Sequence, residues 1–431
     1  MFSLNIRQFF PIGIDVSSDV VRMLQLCRHP TGGLAVAAAV RRPTAIDDNA
    51  DTAARLRAAT DAIASVLSMD EFNGKRAVVS VPQEMVHTRT VRLAAAPADD
   101  AAIPAEFNAA FDIDLSKATV RLIRAGSVRH SLPEGEEVIA LAAGNDDLNE
   151  LTEQLHHRGV RPLSMEVRVL ALHRAARHCR EEPAATALLE LDGDWARLLI
   201  ARGENVSFLK NIPVGVAELS RSLARTLSIS LEEAKELRRR TLNTSATAPE
   251  DRNDPVRRAV ADAGRAQMEL LANEVGRCLR YHAVTFRGRQ PDALVVCGPE
   301  AHDPQSHALL TARTGLPVTL LDPFENIDTS VMRAADRAGN RSEWGVALGL
   351  ALKKINRRAA RDTSGAPLFP SPGTPGEGKG GGLVERLWSG AILHGKAAPP
   401  PPQPSPGVPG EGENFAITAP PAPATAEVPL A

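Results

Sequence analysis

The chain has 431 residues, 43% of them apolar, and its charges nearly cancel, with 50 lysines and arginines against 52 aspartates and glutamates. This length exceeds what one hydrophobic core usually supports, so we expect two or more packed units. With aromatic residues at only 3% and no basic excess, the composition argues against a nucleic-acid partner, which needs stacking platforms or a basic face.

The cysteines and the N-terminus indicate the compartment. Cys27, Cys179, Cys278 and Cys297 lie far apart and none has metal-ligand spacing, which is typical of free thiols in a reducing compartment. The start Met1–Phe10 is too short and polar for a signal peptide, and no apolar run approaches the roughly 18 residues of a membrane span. We therefore expect a cytoplasmic protein.

Two strand pairs open similar halves of the chain. Ile12–Val16 turns through Ser17–Asp19 into Val20–Leu26, and Leu188–Leu191 turns through Asp192–Asp194 into Ala196–Ile200. Residues 10 to 362 alternate β-branched runs with helical periodicity, which favours an α/β architecture. Because the two pairs lie about 175 positions apart, a domain-sized period, we predict a duplicated fold with lobes at 1–182 and 183–362.

The segment between the two pairs predicts further core strands and an insertion. Ala77–Pro82 has the pattern of a buried strand, and Thr88–Leu93 that of a strand with alternating faces. We place a small inserted subdomain at about 83–137. The apolar run Val138–Ala143 is predicted to return to the core sheet, and Leu148–His157 has leucines at helical spacing.

The second half contains clear helix signals. Ser230-Leu231-Glu232-Glu233 is a capping box, which predicts a helix from there to about Arg240. Residues 264–286 form the longest amphipathic segment, and together these helices suggest a helical subdomain at about 230–290. Ala293–Gly298 has the pattern of a buried strand ending in a turn, and Trp344–Leu352 begins a closing helix.

The last segment, 363–431, is rich in proline and glycine and contains a near-repeat, Pro370–Gly378 against Pro404–Gly412. This composition predicts a disordered tail. Within it, Leu383–Trp388 with Ile392 and Leu393 has the pattern of one short amphipathic helix, which is either a solvated linker element or an anchor for a membrane or partner.

The order and spacing of several segments resemble the type IV pilus assembly PilM family, actin-like proteins related to FtsA of cell division. The resemblance covers roughly residues 10 to 355. It implies a duplicated actin-like, ribonuclease H-like ATPase fold with a small inserted domain. The segments that carry it are Gly13-Ile14-Asp15 with Arg22 and Leu26, Val78–Pro82, Ile212–Gly215 with Leu219, Leu271–Val275 with Arg277, Leu279, Tyr281 and His282, Leu316–Val318, Asp322–Phe324 and Ala347–Ala351.

In this fold two hairpin turns face the nucleotide phosphates, and each has an aspartate followed two positions later by glycine. The aspartate holds hydrated magnesium, and the glycine lets backbone amides approach phosphate oxygens. In the first turn Asp15 is present as the implied metal-side residue, but Ser17 occupies the glycine position. The resemblance places Asp15, Ser17, Ser18 and Arg22 at the implied nucleotide site.

The second turn departs further from the family pattern. Its matched positions are Glu190 and Asp192, and in a shifted register Asp192 and Asp194. Either register leaves a carboxylate where a phosphate should approach. Two unit charges about 4 Å apart repel by about 4 kcal/mol at an effective dielectric near 20, which would weaken binding by roughly a thousandfold unless a cation lies between them.

The adenine and ribose sides depart as well. Two adjacent glycines are expected after the adenine-side strand, but Gly298 is followed by Pro299, which fixes φ and removes a donor. The family offers an acid and a lysine to the ribose, where this chain has Lys235 and Arg238. We therefore interpret the ATP and magnesium site as degenerate, weak or lost. The alternative is that Asp15, Ser17 and Ser18 hold magnesium and nucleotide loosely, with Arg238 on the ribose or phosphates.

The resemblance implies a scaffold of a type IV pilus or type II secretion platform, peripheral at the inner membrane. Such a scaffold receives the short cytoplasmic tail of a PilN-like membrane protein in a groove, here within about Pro82 to Leu141. Arg89 and Arg92 are candidates to face a polar peptide, the alternative being two solvated positions on an alternating strand.

Two other functions remain open at this point. One is an ATPase or phosphotransferase of the actin and sugar-kinase superfamily, for which the sequence offers no second-substrate site. The other is an FtsA-like membrane tether that uses the Leu383 to Leu393 segment as its anchor. Self-association is also left open.

Overall fold

The computed structural model describes residues 8–17, 19–29, 32–44, 50–94, 105–128, 135–179, 185–193, 195–247, 255–286, 290–299 and 301–353. Ser18, Asp194 and the predicted disordered tail with its Leu383–Leu393 segment lie outside the described residues. The predicted lobe boundary at residue 182 also lies outside them and stays a prediction.

Strands and helices alternate along the described chain. The strands are β1 (Gln8–Phe9), β2 (Ile12–Val16), β3 (Val20–Arg28), β4 (Leu34–Pro43), β5 (Arg76–Val81), β6 (His87–Leu93), β7 (Ala118–Val128), β8 (Gly135–Gly144), β9 (Arg161–Val167), β10 (Ala185–Asp192), β11 (Trp195–Arg202), β12 (Asn205–Ile212), β13 (Ala293–Cys297), β14 (Val318–Leu320) and β15 (Ile327–Asp328). The helices are α1 (Thr52–Leu67), α2 (Ala105–Ala110), α3 (Asn145–His157), α4 (Arg168–His178), α5 (Val216–Leu227), α6 (Leu231–Thr247), α7 (Pro255–Phe286), α8 (Pro304–Thr314), α9 (Ala334–Ala338) and α10 (Gly345–Ala351).

Two mixed sheets repeat one topology. The first has the strand order β15-β4-β3-β2-β5-β9, and the second β12-β11-β10-β13-β14. In each, an opening strand pairs antiparallel with its hairpin partner on one side and parallel with a later strand on the other. The predicted α/β class and the predicted duplication are confirmed. We call the part built on the first sheet the first lobe and the part built on the second sheet the second lobe.

Two glycines let α10 pack directly against β2 and α4. A Cβ on Gly13 of β2 would lie 2.1 Å from the Ala347 carbonyl oxygen, and a Cβ on Gly349 of α10 would lie 1.8 Å from the Ala171 carbonyl oxygen. Only glycine permits such close backbone approach. This packing brings the beginning of α4 close to the end of β2, where the first hairpin turns.

The inserted part forms a third sheet with the order β6-β8-β7. The prediction that Val138–Ala143 returns to the core sheet is therefore wrong, since this run lies within β8. The reason is that β8 is buried on both faces: its odd-numbered side chains join the main core, and its even-numbered ones pack on Phe107 and Phe111 of the insertion. A strand between two cores has the same continuous apolar pattern as a core-sheet strand.

The two helices predicted for 230–286 are present, although α6 extends to Thr247, beyond its predicted end at about Arg240. The Ser230 backbone N–H donates to the Glu233 carboxylate at 2.8 Å, and the Glu233 N–H donates to Ser230 Oγ at 3.2 Å, which is the reciprocal bonding of a capping box. The long helix begins at Pro255, earlier than predicted, and buries Met268, Leu271 and Val275. Among the described residues, no helix combines the length and apolar character needed to span a bilayer.

Candidate functional site

The two hairpin turns meet in space although 175 positions separate them in sequence. Ser17, which follows β2, donates a hydrogen bond of 2.9 Å from its Oγ to the Oδ2 of Asp192 at the end of β10. Asp15 and Glu190 lie two residues before Ser17 and Asp192, respectively, and both are buried. The duplicated fold thus brings all these predicted residues to one place between the lobes.

Arg168 lies between these acidic side chains. It is the first residue of α4, directly after β9, and its guanidinium is buried. One terminal nitrogen donates to the Asp15 carboxylate and to the Val16 carbonyl at 3.1 Å. The other donates to Glu190 at 3.0 Å and to Asp192 at 2.7 Å. The planar fork of arginine suits such multiple carboxylate contacts.

A second arginine pairs with the acids of the second lobe. Arg197 lies on β11 directly across from Glu190 of β10. Its Nε donates to Glu190 at 2.7 Å, and its Nη2 lies 3.5 Å from the Asp192 carboxylate. Both partners are almost completely buried, so each charge is neutralised within the protein interior.

The first lobe repeats this pairing. Arg22 of β3 lies directly across from Asp15 of β2, with their charged groups 3.7 Å apart. Arg22 also donates to Glu343 at 2.6 Å, and Arg41 lies 3.5 Å from the same carboxylate. We call this set of side chains the cleft cluster; its members are Asp15, Ser17, Arg22, Arg168, Glu190, Asp192, Arg197 and Glu343.

Burial and ion pairing together set the protonation of the cleft cluster. Burial raises the pKa of Asp15 to about 6, although Arg168 and Arg22 oppose it. Burial also acts to raise the pKa values of Glu190 and Asp192, but the charges of Arg168 and Arg197 outweigh it and hold both below their ordinary range. At neutral pH Glu190 and Asp192 are therefore ionised and Asp15 is mostly ionised, and all three face charged guanidinium groups.

Little space remains on the side of the cleft where the strand β13 ends. The cavity between the cleft cluster and the turn at Gly298 and Pro299 has a volume of about 10 Å³, room for about one water. Asn340 Nδ2 closes this turn by donating to the carbonyls of Gly298 at 2.9 Å and Pro299 at 3.2 Å. Pockets that hold ligands of drug size usually measure roughly 300–1,000 Å³.

A magnesium ion with a nucleotide phosphate does not fit this arrangement. The sequence predicted that Asp192 repels phosphate unless a cation lies beside it, and in the structure the cations beside Asp192 are Arg168 and Arg197 of the chain itself. Arg168 itself takes the space between the carboxylates that a cation would bridge. In the part of the chain that the structure describes, no group of three or more His, Cys, Asp or Glu side chains could hold a metal ion.

The residues implied for the adenine and ribose have other surroundings. Gly298 has a φ of +105°, and a Cβ there would lie 2.2 Å from the Leu191 carbonyl oxygen, so glycine is required by the turn itself. Lys235 is partly exposed on α6, where its Nζ bonds Glu232 at 2.9 Å. Arg238 is buried on the same helix beside Gly264. Neither Lys235 nor Arg238 lines the small cavity, and their predicted roles stay predictions.

A much larger cavity, of about 620 Å³, opens on another side of the cleft cluster. Residues of the Gln83–Thr90 segment form its first-lobe wall, and Trp195 with Leu209–Asn211 form its second-lobe wall. Ser17, Arg168, Asp192 and Arg197 of the cleft cluster line its inner end. We call this cavity the groove.

The two arginines predicted to face a partner differ in position. Arg89 lines the groove, and its guanidinium donates to the Ala110 carbonyl and to Asp112, both at 2.9 Å. Arg92 instead lies 3.3 Å from Glu137, which also accepts a 2.6 Å hydrogen bond from Tyr281 of the second lobe. Partner binding by either arginine stays a prediction.

Sequence reasoning missed Arg168, Arg197 and Glu343. A signal was present for Arg197, since it interrupts the otherwise apolar run Ala196–Ile200, and a charge within a buried strand usually has an ionic partner. No comparable pattern marks Arg168 or Glu343, because their partners lie in other elements.

Comparison with known proteins agrees with the architecture. A family described as "Type IV pilus assembly protein PilM" matches residues 13–355. A solved "PilM-PilN type IV pilus biogenesis complex" aligns with a TM-score of 0.63 and 17% identity over 80% of this chain and 98% of that chain. Ethanolamine utilization protein EutJ from Carboxydothermus hydrogenoformans aligns with a TM-score of 0.46 and 12% identity, over 80% and 89% of the two chains. MreB5 of Spiroplasma citri bound to ADP aligns with a TM-score of 0.43 and 11% identity, over 83% and 99%.

Proposed function

The chain belongs to the type IV pilus assembly protein PilM family and has its actin-like ATPase fold, and on this premise we propose that it is a scaffold that binds the cytoplasmic tail of a PilN-like membrane protein. The scaffold works at the cytoplasmic face of the inner membrane, in a type IV pilus or type II secretion platform. The tail binds in the groove.

The observation that carries this proposal is the position and size of the groove. Its volume of about 620 Å³ lies within the usual range of ligand sites, and it opens beside the inserted sheet. The solved relative is a complex of PilM with PilN. A groove that is already formed supports binding of a short segment, because little protein rearrangement opposes it.

The groove wall combines charged and apolar groups. Arg55, Arg89, Lys210 and Glu84 supply charges of both signs, and Trp195, a residue that is 44% exposed, adds an apolar side chain. Such a wall can recognise both the polar groups of an extended segment and an apolar side chain. The mixed chemistry favours a polar peptide over a purely apolar ligand.

We further propose that the nucleotide site is degenerate, with ATP and magnesium binding weak or lost. Two observations support this. The cavity beside Gly298 has a volume of only about 10 Å³, and Asp15, Glu190 and Asp192 are each paired with arginine. A scaffold held by internal ion pairs needs no nucleotide to complete its fold. For the membrane-tether alternative, the Leu383–Leu393 segment lies outside the described residues and adds no support.

The test is direct binding of the tail. A fluorescently labelled peptide with the cytoplasmic N-terminal residues of a PilN-like protein from the same genome is titrated with the full chain, and anisotropy gives the Kd. Lys210→Glu reverses a charge on the groove wall and should weaken binding by about tenfold or more. Lys235→Glu is the matched control, since it reverses a comparable charge on α6 outside the groove and should leave the Kd unchanged.

Two results would contradict the proposal. One is that the wild-type chain binds the tail peptide no more tightly than it binds a labelled peptide of scrambled sequence. The other is an equal loss of affinity in both lysine variants, which would place the peptide elsewhere.

A further inference from the structure

The Arg168 side chain connects the two lobes. It donates to Asp15 and the Val16 carbonyl of the first lobe, and to Glu190 and Asp192 of the second. All of these contacts are buried. A single cationic group therefore fills the space between the two hairpin turns and bonds to both.

We propose that Arg168 acts as a built-in cation that holds the two lobes closed, in the place where a metal-bound phosphate does not fit, and that it thereby fixes the inner wall of the groove. The chain would then stay closed without nucleotide. Arg168 is a positioning residue in this proposal and has no catalytic role.

The acids of the cleft cluster are neutralised by arginines of the chain itself, so the closed arrangement of the lobes needs no added cation. The acids Asp15, Glu190, Asp192 and Glu343 face the guanidinium groups of Arg22, Arg168 and Arg197, with Arg41 at 3.5 Å from Glu343. The acidic charge is thus matched by cations that belong to the chain. An added divalent ion would have to displace an arginine that is already bonded to several oxygens.

A second contact between the turns does not involve an arginine. Ser17 donates to Asp192 at 2.9 Å, in the position where the family pattern has glycine. In this position the hydroxyl occupies space that a glycine would leave open for a phosphate, and it is already bonded to the opposite turn. The same substitution that blocks the phosphate site therefore adds a bond between the lobes.

The groove shares side chains with this contact. Ser17, Arg168, Asp192 and Arg197 line its inner end, so the spacing of the lobes sets the width of the groove. The part of the inference that concerns the groove rests on the proposed function, whereas the closure of the lobes does not.

Hydrogen–deuterium exchange of the full chain tests the closure. In the wild type, amides at the ends of β2 and β10 should exchange slowly, and millimolar Mg-ATP should not change their rates. Arg168→Lys keeps the charge but loses the fork, so exchange at both turns should rise by about tenfold. Unchanged exchange in this variant, or slowing of both turns by Mg-ATP in the wild type, would overturn the proposal.

Arg174→Lys is the matched control on the same helix. Arg174 also donates to a buried carboxylate, with bonds of 2.8 and 2.6 Å to Glu166 of β9, and to the Gly349 carbonyl of α10, a helix that packs against β2 of the first sheet. Exchange in this variant should rise around β9 and α10 and stay unchanged at the end of β10. If Arg168→Lys does not fold, Asp192→Asn decides the question, because it keeps the side-chain shape but removes the charge that Arg168 contacts at 2.7 Å in the second lobe. It should raise exchange at both turns several-fold, and no rise would overturn the closure.

Binding of the tail peptide tests whether Arg168 fixes the inner wall of the groove. Arg168→Lys should weaken peptide binding by about tenfold while Arg174→Lys leaves the Kd unchanged. If the wild type does not bind the peptide, the proposed function fails and the exchange result still stands. If the wild type binds it and Arg168→Lys binds equally well, Arg168 does not position the groove.

Discussion

Glu190 lies directly opposite Arg197 across the β10–β11 hairpin and accepts a 2.7 Å hydrogen bond from it. In the first lobe Asp15 lies in the same relation to Arg22. Both lobes thus carry an acid and an arginine in equivalent register, and Arg168 joins the two acids. The duplicated turns have become the two halves of one buried ion network.

Removing the central cation should destabilise the chain strongly. Arg168→Met keeps most of the side-chain volume but leaves Asp15, Glu190 and Asp192 with fewer compensating charges, and breaking a buried pair this way costs about 3–5 kcal/mol. Urea unfolding of the full chain measures the change. Arg177→Met is the control, because Arg177 forms a largely exposed pair with Glu204 and should cost about 1 kcal/mol or less. Equal losses in both variants would show that Arg168 contributes no more than a surface pair.

Asp15→Asn should increase the free energy of unfolding at neutral pH, whereas Arg168→Met should decrease it. Burial raises the pKa of Asp15 from 3.8 to about 6, so ionised Asp15 opposes folding by up to about 3 kcal/mol at the usual conversion of 1.36 kcal/mol per pKa unit. In the variant, Arg168 keeps Glu190 and Asp192 as partners. Asp15→Asn should therefore be more stable than the wild type at pH 7.

The pH dependence checks the sign of this effect. Since the folded pKa of Asp15 is raised, its contribution to stability is fully present below about pH 4 and is lost as the pH rises through about 6. Burial lowers the pKa of His173 to about 4, so its contribution to stability increases as the pH rises over the same range. Because this contribution is the same in the variant and the wild type, it cancels from their difference. The difference in free energy of unfolding between Asp15→Asn and the wild type should thus grow as the pH rises from 4 to 6.5. A gap that is constant with pH, or that favours the wild type, would contradict this assignment.

Millimolar Mg-ATP should leave the thermal unfolding midpoint of the wild type unchanged. If the chain bound Mg-ATP with a micromolar Kd, a thousandfold excess over Kd would stabilise it by about 4 kcal/mol. Differential scanning fluorimetry would detect such a shift easily. A clear upward shift that Asp15→Ala abolishes would support the competing view, in which Asp15 and magnesium hold the nucleotide.

The sequence predicted the hairpins and the duplication because local patterns specify them. The runs Ile12–Val16 and Leu188–Leu191 are apolar strands that end at turn-forming residues, and the capping box at Ser230 needs only four consecutive positions. These signals are contained within a few residues. The structure places them as predicted.

The sequence did not reveal how the acids at these turns are neutralised. Arg168 reaches Asp15 across 153 positions, and nothing in its neighbours in sequence indicates a cation aimed between the lobes. The same limitation explains the error at Val138–Ala143, where contacts with two different cores produce the pattern of a single core strand. Partners distant in sequence decide both cases.

The close contact of α10 with α4 gives a final prediction about what positions Arg168. A Cβ on Gly349 would lie 1.8 Å from the Ala171 carbonyl oxygen, so Gly349→Ala must push α10 away from α4 and should cost about 1–3 kcal/mol or more, as overpacking does. Gly33→Ala is the control, because a Cβ there has no atom within 4 Å, and it should be neutral or stabilise slightly. Urea unfolding of both variants measures the difference. If Gly349→Ala unfolds at the same urea concentration as Gly33→Ala, α10 does not fix the position of α4 and some other contact must hold Arg168 between the turns.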